Sequence, residues 1–144
     1  MTTILLSSDF IYLAGCFDMQ YKRILLIDDD EDDQELFQLA LGELNNNIDC
    51  TVMAGAREAL VYLKSEPKAT DLIFLDLNMP IMTGQQFLAE IKHQPAIRGI
   101  PIIILSTTLG PPSVSDEESL GAMQFFTKPG NFHELKKILQ NILD

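Results

Sequence analysis

A chain of 144 residues is long enough for one domain with a proper core and too short for two ordinary ones. Its 47% hydrophobic and 22% charged residues place it among soluble globular proteins rather than disordered ones. Acids outnumber bases 21 to 10, and the net charge of −11 excludes nucleic acid and an anionic membrane surface as direct partners, because both are held by Lys and Arg.

Residues 1–21 read as an extension in front of a domain at 22–144. Within the extension, Leu13-Ala14-Gly15-Cys16 resembles a lipoprotein cleavage box, but no Lys or Arg precedes it and Asp9 interrupts the apolar run. Met19 is an alternative start. No apolar run reaches the ~18 residues that span a bilayer. Cys16 and Cys50 are far apart in unlike contexts and read as thiols, not as a disulfide.

From Lys22 onward short apolar runs alternate with amphipathic stretches, the pattern of an α/β fold with a parallel sheet. Arg23-Ile24-Leu25-Leu26-Ile27 is a first strand buried on both faces. Leu36, Phe37, Ala40, Leu41 and Leu44 then mark a helix, closed by Asn45-Asn46-Asn47. A second strand covers 50–54, and Ala56, Ala59, Leu60 and Leu63 mark a second helix that stops before Pro67. Leu72-Ile73-Phe74-Leu75 is the third strand and runs straight into Asp76. A turn with Pro80 and Gly84 leads to a third helix carrying Phe87, Leu88 and Ile91. Pro101 introduces the fourth strand, Ile102-Ile103-Ile104-Leu105. Gly110-Pro111-Pro112 breaks the chain before a short acidic helix near 115–120, and 124–127 is the fifth strand. After Lys128-Pro129-Gly130 a last helix shows Phe132, Leu135, Ile138, Leu139 and Ile142. Five strands alternate with five helices, and right-handed crossovers put those helices on both faces of one sheet.

In such folds the chemistry sits outside the carboxyl ends of the strands. The first strand delivers Asp28 and Asp29, the third Asp76, the fourth Ser106 and the fifth Lys128. If strands one and three are neighbours, three carboxylates converge with a hydroxyl and an ammonium. Clustered carboxylates repel one another unless a cation sits among them, and Mg²⁺ suits oxygen ligands that leave room for water and phosphate. Lys128 would hold a carboxylate or a phosphoryl oxygen, and Ser106 would donate to a phosphoryl oxygen. The set suits a phosphoryl group on Asp76.

These residues resemble the response regulator receivers of two-component signalling. The resemblance runs from about residue 23 to 143, through Ile27-Asp28-Asp29-Asp30, Asp76-Leu77-Asn78-Met79-Pro80 with Gly84, Ser106, and Lys128-Pro129, in order and without a gap in spacing. It implies a doubly wound, flavodoxin-like (βα)5 three-layer sandwich with sheet order 2-1-3-4-5. It also implies Asp76 as phosphoacceptor, Asp29 as direct ligand of Mg²⁺, Asp28 as holder of a metal-bound water, and the backbone carbonyl of Asn78 as a further ligand. Ser106 and Phe125 fall at the family's switch hydroxyl and switch aromatic, Phe125 lacking the hydroxyl of the commoner Tyr. Thr108 lies beside the switch hydroxyl. The implied protein is a cytoplasmic single-domain regulator that assists only its own phosphorylation and dephosphorylation. Its donor is a sensor histidine kinase or phosphotransfer protein. Its output leaves by contact with a downstream protein or in a homodimer, through the face made by the fourth helix, fifth strand and fifth helix.

Other readings fit less well. Glu31, Asp32 and Asp33 read as a solvated helix start. A calcium loop from Asp28 fails because Asp33 stands where Gly is required and Leu39 where a bidentate Glu belongs. His93 and His133 are isolated and read as surface residues. A haloacid-dehalogenase-like phosphatase needs an Asp where Asn78 stands. A flavodoxin-type carrier needs a phosphate loop where Asp28-Asp29-Asp30 would repel one. A degenerate receiver that binds partners without phosphorylation remains the interaction-module alternative.

Overall fold

The computed structural model describes residues 21–44, 47–107 and 124–143. The chain runs β1 (Arg23–Ile27), α1 (Glu31–Leu44), β2 (Asp49–Met53), α2 (Ala56–Ser65), β3 (Leu72–Leu75), α3 (Gly84–Lys92), β4 (Ile102–Ser106), β5 (Gln124–Thr127) and α4 (Phe132–Leu143). The lipoprotein-like Leu13–Cys16 stretch, Thr108, the Gly110-Pro111-Pro112 break and the expected acidic helix at 115–120 lie outside the described residues, so the last helix is here α4. All strand pairs are parallel, and the sheet order is β2-β1-β3-β4-β5, as expected.

The strand periodicity sorts the core into two layers. Leu25, Ile27, Ile73, Leu75, Ile102 and Ile104 face α2 and α3, where Leu63, Phe87, Leu88 and Ile91 receive them. Ile24, Leu26, Leu72, Phe74, Ile103 and Leu105 face α1 and α4 on the other side. There the rings of Phe37 and Phe74 meet edge to face at 4.9 Å. The continuous apolar strands β3 and β4 are buried throughout, whereas the edge strands β2 and β5 are partly exposed.

The differences from the sequence expectation are small. β2 begins and ends one residue earlier, and β4 continues through Ser106 instead of ending before it. Leu36, expected on the packed face of α1, is exposed, while Phe37, Ala40 and Leu41 are buried. Asp30 caps α1 by accepting from the Asp33 N–H at 3.0 Å, and Thr83 and Gln86 form a reciprocal capping box on α3. Cys50 is half-buried, and burial pushes its thiol up to about 11. His93 and His133 are exposed.

Asp71 pins the start of β1 to the chain entering β3. Its Oδ2 accepts the backbone N–H groups of Lys22 at 3.1 Å and Arg23 at 2.9 Å, and its Oδ1 meets Arg23 Nη2 at 3.1 Å. Burial alone would raise the Asp71 pKa, but the Arg23 guanidinium and these N–H groups outweigh it and hold the carboxyl below its usual range. The unfolded chain therefore binds this proton more tightly. The stabilisation is complete above the unfolded value of about 3.9 and is lost as pH falls through the folded one. In urea unfolding, the stability gap between wild type and Asp71→Asn should be widest above about pH 4 and close towards about pH 2. A gap independent of pH would contradict the pairing.

Candidate functional site

Parallel pairing brings the site together. β1 and β3 are in register with Ile27 beside Leu75, so the next residues, Asp28 and Asp76, emerge side by side at the carboxyl edge. The Asp76 N–H donates to Ile27 O at 3.0 Å and the Asp28 N–H to Met53 O at 3.1 Å, which extends the ladder into the acidic turns. On the other flank Ser106 pairs with Thr127, and the Lys128 N–H donates to Ser106 O at 2.8 Å. Lys128 is thereby delivered over the same edge.

Asp76 is buried, with 4% of its surface exposed. Its Oδ1 accepts from Ser106 Oγ at 3.0 Å and from the Asn78 N–H at 3.2 Å. The Asn78 side-chain amide also donates to Ser106 Oγ at 3.4 Å. Asp76 Oδ2 stands 3.6 Å from Lys128 Nζ. Asp28 is buried beside it, 2.6 Å from the same Nζ, and accepts the Asp30 N–H at 3.0 Å. Asp29 is exposed at the mouth. One carboxylate oxygen from each of Asp28, Asp29 and Asp76 lies within 4.8 Å of the others. Phe125 is half-buried in β5 and packs on the core layer shared with α2 and α3.

All the residues expected at the strand ends are thus gathered at one edge. Three features were not foreseen. Ser106, expected to await a phosphoryl oxygen, is already hydrogen-bonded to the Asp76 carboxylate. Asp33, read as part of a solvated helix start, instead holds Lys128 Nζ at 2.6 Å, while Glu31 and Asp32 are exposed as expected. Nothing in the local sequence sets Asp33 apart from its acidic neighbours, because its partner is distant along the chain. Gln34 was also missed; its side-chain amide donates to Asp28 O at 2.6 Å and steadies the first acidic turn.

Three carboxylates, those of Asp28, Asp33 and Asp76, lie within 3.6 Å of a single ammonium, and Asp29 groups with Asp28 and Asp76. Burial alone would lower the Lys128 pKa, but hydrogen bonds to Asp28 and Asp33 and the charges of Asp28 and Asp76 push it above the ordinary lysine range. The ammonium is held charged. Asp28 is raised, first by burial and then by the charge of Asp76, against the opposing pull of Lys128 and the Asp30 N–H. One ammonium does not neutralise the cluster, and an all-oxygen donor set short of positive charge fits a hard divalent cation.

The loop after Asp76 is closely built. The Gly84 N–H donates to Leu77 O at 3.0 Å, bringing the start of α3 against the acceptor turn. The Met82 N–H donates to Pro80 O at 2.8 Å around Ile81, whose φ of 70° makes this a γ-turn of the strained kind. No helix among the described residues is long and apolar enough to cross a membrane.

Comparison with known proteins agrees with this geometry. The family described as the response regulator receiver domain matches residues 24–140. The response regulator Rcp1 of Synechocystis sp. (strain ATCC 27184 / PCC 6803 / Kazusa) is 30% identical over 126 residues, covering 84% of this chain and 86% of the relative. The crystal structure of the phosphorylated cyanobacterial phytochrome response regulator RcpA superposes with a TM-score of 0.75 at 31% identity, over 85% of this chain and 91% of that one. The Mn²⁺-bound form of response regulator Rcp1 gives a TM-score of 0.72 at 30% identity, over 84% of this chain and 91% of that one. With the sheet order, the acidic edge and the family match in agreement, the chain belongs to the response regulator receivers of two-component signalling.

Proposed function

We propose that this receiver takes a phosphoryl group onto Asp76 from a phosphohistidine on a sensor histidine kinase or phosphotransfer protein. The observation that carries the reading is the setting of Asp76: buried, hydrogen-bonded by Ser106, facing Lys128 and grouped with two further carboxylates. Asp76 Oδ1 is occupied by two donors, so Oδ2 is the oxygen that attacks phosphorus. A P–O bond forms as the P–N bond breaks, and the imidazole leaves with a proton. A carboxylate needs no base, so these residues work by position and charge.

Asp29, Asp76 and the Asn78 carbonyl would hold Mg²⁺, with Asp28 acting through a water. When bound, the ion neutralises the carboxylates and the phosphoryl oxygens. The related structures of a phosphorylated RcpA and an Mn²⁺-bound Rcp1 support both parts of the reading. Lys128 draws off charge on the flank opposite Asn78. Phosphorylation replaces the single carboxylate charge of Asp76 with a phosphoryl group carrying about two, and Ser106 then exchanges its bond to Asp76 for one to a phosphoryl oxygen. Phe125 follows into the space that Ser106 leaves, biasing the surface around β5 and α4 towards its active form. Residues 22–144 form the receiver, residues 1–21 an extension, and the output is protein contact in the cytoplasm.

Acetyl phosphate with Mg²⁺, followed by borohydride reduction of the acyl phosphate and peptide mapping, tests this reading. Homoserine should appear at position 76, and chelation of the metal before the donor is added should prevent it. Homoserine at another aspartate, or none, would overturn the assignment.

A further inference from the structure

The sharing of Lys128 has a consequence for how readily the site is charged. Lys128 Nζ lies 2.6 Å from Asp28 and from Asp33 but 3.6 Å from Asp76. The ammonium therefore rests nearer α1 than the acceptor, with Asp76 at the long end of ion-pair range. The two close partners are unlike: the Asp28 side chain is 3% exposed, whereas that of Asp33 is 33% exposed. Losing the ammonium would strand a buried charge at Asp28, but water can replace it at Asp33. Asp33 is thus the partner that Lys128 can leave. The Asp33 backbone is fixed at the head of α1, its N–H donating to Asp30 Oδ1 at 3.0 Å.

We propose that Asp33 is a positioning residue that holds Lys128 off the acceptor and so sets how readily Asp76 is phosphorylated. The proposal rests on the reading of Asp76 as phosphoacceptor. An incoming phosphoryl group must draw the ammonium from Asp33, and it approaches against the Asp33 charge. Both effects slow an anionic donor. For a cation the same two effects reverse: Asp33 adds negative charge near the metal ligands and keeps Lys128 from competing for Asp76. One residue therefore favours the metal and disfavours the donor.

The test uses the full chain, with Asp33→Asn and Asp33→Glu beside wild type. At saturating Mg²⁺, Asp33→Asn should take up phosphoryl from acetyl phosphate about two- to fivefold faster, through a lower half-saturating donor concentration. Its Mg²⁺ affinity by calorimetry without donor should weaken by a similar factor, and Asp33→Glu should restore wild-type values in both. A merely structural role would move both in the same direction. Unchanged uptake, or shifts of like sign, would overturn the proposal. Wild type that takes up no phosphoryl at all would instead refute Asp76 as acceptor and remove this proposal with it.

Discussion

Asp76→Asn should lower phosphoryl uptake from acetyl phosphate by roughly three orders of magnitude or more, the scale on which removal of an attacking group acts. The substitution is nearly isosteric. Asn keeps an oxygen to accept from Ser106 Oγ and the Asn78 N–H, so the local hydrogen bonds can persist. What disappears is the anionic nucleophile. Lys128 retains Asp28 and Asp33 at 2.6 Å, so its place in the cluster survives.

Stability should move the other way. The folded protein holds the Asp28 proton more tightly than the unfolded chain does, through burial and then the Asp76 charge. Ionised Asp28 therefore counts against the fold at neutral pH, and its contribution declines as pH rises from the unfolded value through the folded one. Removing the Asp76 charge relieves part of this. In metal-free buffer Asp76→Asn should melt no lower than wild type. Retained uptake, or marked destabilisation with lost uptake, would remove the case for a specific chemical role and favour the degenerate-receiver reading.

Gly84→Ala should cost about 1–3 kcal/mol in urea unfolding, the usual range for overpacking, and impair phosphoryl uptake as well. A Cβ at Gly84 would lie 2.7 Å from Leu77 Cα and 2.8 Å from Asp76 O. Both atoms are backbone, so no side-chain rotation relieves the clash. The turn that carries the acceptor must shift instead. Gly42→Ala is the control: a Cβ there meets nothing within 4 Å, and its place inside α1 should make the change stabilising by about 0.5–1 kcal/mol. A neutral Gly84→Ala with full uptake would show that close approach of α3 does not hold the acceptor turn.

Much of this was legible beforehand because it is local. Apolar runs such as Leu72–Leu75, buried along their whole length, mark the inner strands without knowledge of their neighbours. Helical spacing of Leu135 and Leu139 likewise marks the inward face of the last helix. Strand ends in a parallel sheet all point to one edge, so Asp28, Asp29, Asp76, Ser106 and Lys128 could be grouped from their positions alone. Asp33 was missed for the opposite reason. Acids at a helix start are ordinarily solvated, and its partner lies 95 residues away.

The sequence by itself determined the alternation of the described elements, most of the core and the set of groups at the carboxyl edge, because periodicity and strand ends are properties of short segments. Only the tertiary structure decided that Lys128 rests against Asp33 rather than on Asp76, that Ser106 already binds the acceptor, and that Gly84 sits against the acceptor turn. Those outcomes depend on sheet register and side-chain reach across distant segments. An ammonium among several carboxylates settles by distance and burial, which exist only once the chain has folded.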